Sequence, residues 1–164
     1  MKVHNVKNFV LVFSLLMFSQ IVYAQDDWKQ YTWQPFGLEF ELPSSYQVTT
    51  NTPEALEAIG EGIEFAIYPY EDEQLTEQGL SGFLVKMAER DLNLSEIDEL
   101  EILSVDGMAA GFISGRKDGL MYLVLGLIEK KSGDSFYAYI AFEPDQEEVV
   151  EDALAVFESF GMPN

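Results

Sequence analysis

The chain has 164 residues, no cysteine, and 29 acidic against nine basic residues, which gives a formal net charge of −20. This balance argues against nucleic acid or an anionic membrane as a partner, because both require clustered Lys and Arg. A hydrophobic content of 48% is too high for a disordered chain. The length suits a single domain, and the acidic surface favours solubility while permitting basic partners or hard cations.

Residues 1–24 have the pattern of a secretory signal peptide. Lys2 and Lys7 make the start basic, residues 9–22 are apolar, and Ala24 is the small residue before the predicted cleavage site. The apolar run is shorter than the ~20 residues that span a bilayer. We therefore expect export to a periplasm or to the extracellular space, with no transmembrane segment in the mature chain.

The mature chain, residues 25–164, is expected to form a single α+β domain with restricted chemistry. Cleavage removes Lys2, Lys7 and no acidic residue, which lowers the formal charge from −20 to −22, and it removes His4, the only histidine. Without thiol or imidazole, the chain lacks Ser-His-Asp and Cys-His catalysis as usually built. It also lacks the nitrogen and thiolate ligands of zinc, copper and haem sites. We expect no catalytic residue and no cofactor.

The first half of the domain alternates predicted strands with short connections. Both tryptophans lie in residues 26–35, where they are expected to pin an N-terminal segment against the domain; an exposed stacking role is the alternative. Residues 36–42 alternate apolar and polar side chains and predict a half-buried strand. Thr52 is typical of the N-cap of a short helix that Gly60 ends, and residues 63–67 predict the next strand.

Three adjacent carboxylates follow that strand. Glu71, Asp72 and Glu73 are the candidate metal ligands, since Ca²⁺ binds several oxygen atoms. The segment lacks the Asp-x-Asp-x-Asp-Gly spacing of a calcium loop, and a chain this acidic produces such clusters by composition. A charged entry to the next helix, predicted over residues 73–92 with an apolar stripe, is the favoured interpretation.

Residues 105–142 predict an antiparallel meander. Its three strands cover residues 108–116, 120–130 and 135–142. Asp118-Gly119 is a hairpin signal, because glycine accepts a positive φ. The second and third strands are apolar on both faces, so the sheet needs cover on each side, and a helix predicted after Asp145 supplies part of it. We expect an antiparallel β-sheet covered by helices on both faces, an α/β/α sandwich.

Three tyrosines of the meander have two interpretations. Tyr137 and Tyr139 share one face of their strand, and Tyr122 lies on the adjacent strand. If exposed, they would form a stacking platform; if covered by a helix, they would belong to the core. Their apolar neighbours favour the core, so a functional surface is expected at the turns, at the edges, or in the acidic and aromatic segments outside the meander.

Three short motifs carry a family resemblance. They are the strand–Pro–aromatic segment at residues 40–46, the Val-Asp-Gly segment at residues 105–110, and a terminal helix that closes on Ser159-Phe160. With the order of elements, they resemble the family that includes the PsbP subunit of photosystem II, the Ran-binding Mog proteins and small exported bacterial proteins, over roughly residues 33–162. The resemblance implies an antiparallel sheet between helices and a role in binding other proteins, without a shared catalytic constellation.

Taken together, these patterns favour an exported, non-enzymatic domain that binds a protein partner, such as another envelope protein, or assists an envelope assembly. One alternative is a divalent-cation (Ca²⁺) binding protein that uses Glu71, Asp72 and Glu73. Another is a glycan hydrolase that uses a pair of carboxylates. The sequence does not identify the two residues of such a pair among its 29 acidic residues.

Overall fold

The computed structural model describes residues 28–60, 62–71, 75–145 and 147–162, with the backbone alone at residues 147 and 148. The predicted signal peptide and the candidate ligands Asp72 and Glu73 lie outside the described residues. In the described part of the chain, no helix is long and apolar enough to cross a membrane.

A two-stranded hairpin precedes the main sheet. Its strands, β1 (Trp28–Trp33) and β2 (Leu38–Pro43), pair antiparallel around a turn in which Gly37 has a φ of 65°. Trp33 is fully buried, and its indole Nε1 donates a hydrogen bond to the carbonyl oxygen of Thr52 at 2.8 Å. The expectation that this aromatic segment is pinned against the domain is therefore confirmed.

In the part of the chain that the structure describes, the main sheet has seven antiparallel strands. They are β3 (Gln47–Asn51), β4 (Leu56–Gly60), β5 (Ile63–Tyr70), β6 (Glu101–Leu103), β7 (Met108–Lys117), β8 (Leu120–Glu129) and β9 (Ser135–Phe142). Their spatial order is β3-β4-β5-β9-β8-β7-β6, so β3 and β6 are the edges. The predicted meander forms β7, β8 and β9, with every strand end within about one residue of its predicted position.

Strand β4 stands where a short helix was predicted. The hydroxyl oxygen of Thr52 accepts the backbone N–H of Ala55 at 3.3 Å, which closes a turn of the kind seen at helix starts. The chain then continues as a strand, since Leu56 and Ala58 are buried while Ile59, in the same strand, is 49% exposed. The predicted helix with an inward-facing Ile59 is wrong, because burial here has a period of two.

Within the described residues, two helices accompany the sheet. They are α1 (Leu80–Lys86), preceded by a 3₁₀ turn (Glu77–Gly79) and followed by a π turn (Met87–Asp91), and α2 (Glu147–Glu158). The regular part of the helix predicted over residues 73–92 is thus much shorter than expected. Gly79 and Gly82 lower the helix propensity of its first half, so packing against the sheet decides where the regular turns lie.

Each face of the sheet carries its own hydrophobic cluster. The inner face packs against the β1–β2 hairpin and α2, where the rings of Phe112 and Phe157 have centroids 6.3 Å apart. The outer face packs against α1, which lies over β7 and β8. The approach is close because β8 has Gly126 there: a Cβ at this position would lie 2.6 Å from Leu80 Cδ1.

Cover of the outer face is incomplete over β4, β5 and β9. Phe83 of α1 reaches Tyr70 at the end of β5, with ring centroids 4.4 Å apart. Farther along these strands, Tyr68 and Tyr139 are only half-buried and Glu64 is exposed. The predicted antiparallel sheet is confirmed, but the expected cover of both faces by helices is not: a hairpin shares one face with α2, and α1 occupies part of the other.

Candidate functional site

The open part of the outer face is lined by tyrosines. Alternation along β5 buries Phe65 and Ile67 on the inner face and leaves Tyr68 on the outer face. Pairing then places Tyr68 opposite Tyr137 and Ala66 opposite Tyr139. We call this region the tyrosine surface; it consists of Tyr68, Tyr122, Tyr137 and Tyr139 with the carboxylates of Glu57 and Glu64.

The four rings form a continuous row across β5, β9 and β8. The Tyr68 and Tyr137 rings stack with centroids 5.1 Å apart, and Tyr68 and Tyr139 are 6.5 Å apart. Tyr122 extends the row on β8, 5.7 Å from Tyr139. All four side chains are half-buried. The core interpretation favoured from the sequence is therefore right only in part, since Tyr122, Tyr137 and Tyr139 pack against the cluster that contains α1 but stay half-buried.

Glu57 is held in place by two strands. Its Oε1 accepts a hydrogen bond from the Tyr68 hydroxyl at 3.0 Å, and its Oε2 accepts one from the Thr50 hydroxyl at 2.7 Å. A carboxylate oxygen has two lone pairs, so each oxygen keeps acceptor capacity for a further donor. Glu57 thus presents an oriented negative charge beside the rings.

The hydroxyls of the tyrosine surface resist ionisation. Burial, the largest cause, raises the pKa of Tyr68, Tyr122, Tyr137 and Tyr139 above the ordinary value of 10.0. Nearby negative charge adds to the effect: Glu64 and Asp118 raise the pKa of Tyr122, and Asp91 raises that of Tyr137. The rings are therefore neutral near physiological pH, and the formal charge of the surface comes from carboxylates.

This arrangement suits binding. Burial raises the pKa of the four hydroxyls, so they stay protonated near neutral pH. The rings can stack or receive a cation, and the carboxylates can accept hydrogen bonds. These are contacts through which a surface can recognise a partner.

Of the sequence-predicted metal ligands, only Glu71 is described. It is exposed after β5 and lines a pocket of about 450 Å³ whose walls include Phe36, Tyr70 and Phe136. Among the described residues, no three Asp, Glu, His or Cys side chains lie close enough together to hold a metal ion. The pocket is therefore an aromatic recess whose wall also includes the carboxylates of Glu54, Glu71 and Asp134.

A second recess lies beside the edge strand β6. It has a volume of about 330 Å³ and is lined by apolar side chains together with Lys130 and Glu77. Ile102 of β6 is 69% exposed at its rim. Strand β6 has only three residues, so it offers another strand little backbone to pair with. We therefore place the candidate site on the tyrosine surface.

Sequence reasoning missed Tyr68, Glu57 and Glu64 as site residues. The helix predicted before Gly60 placed Glu57 on a helix surface and so separated it from the next strand. No local signal corrects this, because Ile59 is apolar at an outward position and breaks the alternation that Leu56, Glu57 and Ala58 begin.

Comparison with known proteins identifies the fold. No protein-family model matches the chain, and no curated protein matches it. The chain resembles the solution structure of cyanobacterial PsbP (CyanoP) from Synechocystis sp. PCC 6803, with a TM-score of 0.60 and 16% identity over 84% of this chain and 94% of that one. It also resembles the Ran-binding protein Mog1p of Saccharomyces cerevisiae, with a TM-score of 0.56 and 8% identity over 83% and 95% of the two chains. The chain therefore has a PsbP-like, Mog-type fold, as its sequence resemblance implied.

Proposed function

We propose that this chain is an exported, non-enzymatic domain that binds another envelope protein through the tyrosine surface. The observation that carries the proposal is the row of four half-buried tyrosines on a sheet face that α1 covers only in part. Tyrosine is enriched in protein interfaces because it offers a large rigid ring and a polar hydroxyl at low cost in conformational entropy.

The shape of the surface favours a protein over a small molecule. Small-molecule sites are concave and enclose most of their ligand, whereas Tyr68, Tyr137 and Tyr139 lie side by side on neighbouring strands. A partner with a complementary surface would contact several rings at once. The fold neighbour Mog1p is named as a Ran-binding protein, which supports protein binding by fold analogy.

A structural role is the competing explanation. Cross-strand aromatic pairs such as Tyr68–Tyr137 stabilise a sheet by roughly 0.2–1 kcal/mol each. If the tyrosine rings only stabilised the sheet, the tyrosine surface would contact no partner in the envelope. Site-specific crosslinking distinguishes the two roles, because it reports proximity to a partner and is insensitive to small changes in stability.

The experiment places a photoactivatable phenylalanine analogue at Ile59 or Tyr122, and as a control at Glu151, in the protein exported by its native host. Ile59 is 49% exposed at the border of the surface, and Glu151 is exposed on α2, across the sheet. We expect one shared crosslinked species from Ile59 and Tyr122 and none from Glu151.

Substitution of the rings checks that the crosslink depends on them. Adding Tyr137→Ala and Tyr139→Ala to the Ile59 crosslinker variant should strongly reduce the species, while circular dichroism reports whether the fold is retained. Absence of a species from both surface positions, or the same species from Glu151, would contradict the proposal.

A further inference from the structure

The charge on the strands nearest Glu57 has one sign. Strands β4, β5 and β9 contain no Lys or Arg, and the carboxylates of Glu57 and Glu64 lie on their outer face. Asp91 and Asp118 are close enough to influence Tyr137 and Tyr122. Lys117 lies on the outer face of β7 as a diagonal neighbour of Tyr122, at the end of the row farthest from Glu57. A partner that covers the part of the surface on β4, β5 and β9 therefore meets negative charge.

The two carboxylates occupy adjacent strands at a diagonal. Glu57 lies opposite Ala66, and Glu64 lies opposite Ile59, so the two acids are diagonal neighbours whose backbones are about 7–8 Å apart. Glu57 is oriented by Tyr68 and by Thr50, whereas Glu64 is exposed. One fixed and one free carboxylate thus flank the Tyr68–Tyr139 pair.

Aromatic rings beside carboxylates select a particular kind of side chain. A cation over the face of a tyrosine ring is attracted by the ring quadrupole, and a carboxylate next to the ring adds a direct counter-charge. Guanidinium suits the combination better than ammonium, because it is planar, stacks on rings, is weakly hydrated and binds carboxylates through two parallel hydrogen bonds.

We propose that the tyrosine surface receives arginine side chains from an extended basic segment of the partner protein, with Glu57 and Glu64 as the carboxylates that bind the guanidinium groups. This inference rests on the proposed function, since it names the chemistry of the partner at the same surface. The low exposure of Glu57 and its two existing hydrogen bonds mean that little side-chain freedom is lost when a guanidinium binds.

The test uses blocked peptides of known chemistry. Gly-Arg-Gly-Arg-Gly is titrated into isotope-labelled protein recovered after export, and backbone amide shifts are followed by NMR. The citrulline counterpart has nearly the same shape without the charge, and the lysine counterpart keeps the charge without the planar fork. We expect shift changes on β4, β5 and β9 with the arginine peptide, weaker binding of the lysine peptide, and at least about fivefold weaker binding of the citrulline peptide.

Charge-matched variants test the two carboxylates. Glu57→Gln with Glu64→Gln should weaken arginine-peptide binding by about fivefold or more, while Glu151→Gln with Glu158→Gln, which removes the same charge from α2 on the other side of the sheet, should leave it nearly unchanged. Glu64→Gln alone, at an exposed position, provides a variant with little risk to folding. Equal binding of the citrulline peptide, or an equal loss in the α2 variant, would overturn the inference.

The outcomes separate this inference from the proposed function. Crosslinks at Ile59 and Tyr122 without arginine-peptide binding would mean that a partner docks there through other chemistry. Binding of the arginine peptide without crosslinks would mean that the surface is selective for guanidinium groups while the protein-binding role fails.

Discussion

The hydroxyl of Tyr68 on β5 donates a hydrogen bond to Oε1 of Glu57 on β4 at 3.0 Å. This contact joins two neighbouring strands on the outer face and turns a negative charge toward the row of rings. It also makes Tyr68 the tyrosine whose hydroxyl contributes both to stability and to the geometry of the candidate site.

We predict that Tyr68→Phe lowers the free energy of unfolding by about 1 kcal/mol, because a partly buried carboxylate loses one of its two donors. Urea unfolding followed by tryptophan fluorescence measures the change, since Trp33 is fully buried in the folded state. Tyr122→Phe is the matched control: it removes a hydroxyl from the same surface without breaking this hydrogen bond. Equal losses in the two variants would contradict the prediction.

The same substitution at Tyr46 should act in the opposite direction. Its side chain is 5% exposed, and its hydroxyl shows no hydrogen-bond partner among the described residues. A buried hydroxyl without a partner costs free energy in the folded state, so Tyr46→Phe should be neutral or stabilising by up to about 1 kcal/mol. Thermal unfolding checks the sign, and a clear loss of stability would show that the hydroxyl has a partner in solution.

We predict that Gly126→Ala destabilises the fold by about 1–3 kcal/mol, because the new Cβ would lie 2.6 Å from Leu80 Cδ1 and 3.1 Å from Leu84 Cδ2. The buried side chains of Leu80 and Leu84 would have to repack, or α1 would have to move away from β8. Gly82→Ala is the control within α1, where a Cβ meets nothing within 4 Å; it should stabilise by up to about 1 kcal/mol through helix propensity. Chemical denaturation of both variants gives the comparison, and an unchanged Gly126→Ala would mean that α1 packs farther from the sheet.

The meander was predictable because its signals are local. Asp118 and Gly119 have φ angles of 52° and 86°, the left-handed conformations that an Asp-Gly turn predicts. The conversion of residues 56–60 into β4 was not predictable in this way, because Thr52 closes a turn that serves equally well before a helix or a strand. Pairing with β5 decides between the two.

The exposure of the tyrosine surface could not be predicted from local sequence signals either. The pattern around Tyr139 has apolar neighbours on both faces, which predicts burial whatever lies above the sheet. The outcome depends on how far α1 extends, and its regular part ends at Lys86 before a π turn. The sequence thus predicted that Tyr137 and Tyr139 share one face of the sheet. It did not predict that a helix would cover this face only in part.

For calcium, we predict no saturable heat when the exported protein is titrated by calorimetry at physiological salt. Glu71, Asp72 and Glu73 lack calcium-loop spacing, and Glu71 is exposed beside a recess with aromatic walls. A stoichiometric heat that disappears in the Glu71→Gln, Asp72→Asn, Glu73→Gln triple variant would contradict this prediction and would support the cation-binding alternative.

Alkaline pH should unfold the protein through its tyrosines. Burial raises the pKa of Tyr68 and of the other three surface tyrosines above the ordinary value of 10.0, which the unfolded chain is expected to keep. The unfolded state therefore loses these protons first as the pH rises, and the folded state binds more protons than the unfolded state in that range. The resulting contribution to stability is fully present below pH 10 and is lost as the pH rises through the folded-state values.

Two measurements check this sign. The near-ultraviolet absorbance of tyrosinate should rise at higher pH in the folded protein than in the protein unfolded in urea. The urea midpoint should be flat up to about pH 10 and fall above it. Coincident titration curves in the two states would show that the four rings are freely hydrated, which would contradict their half-buried positions on the outer face.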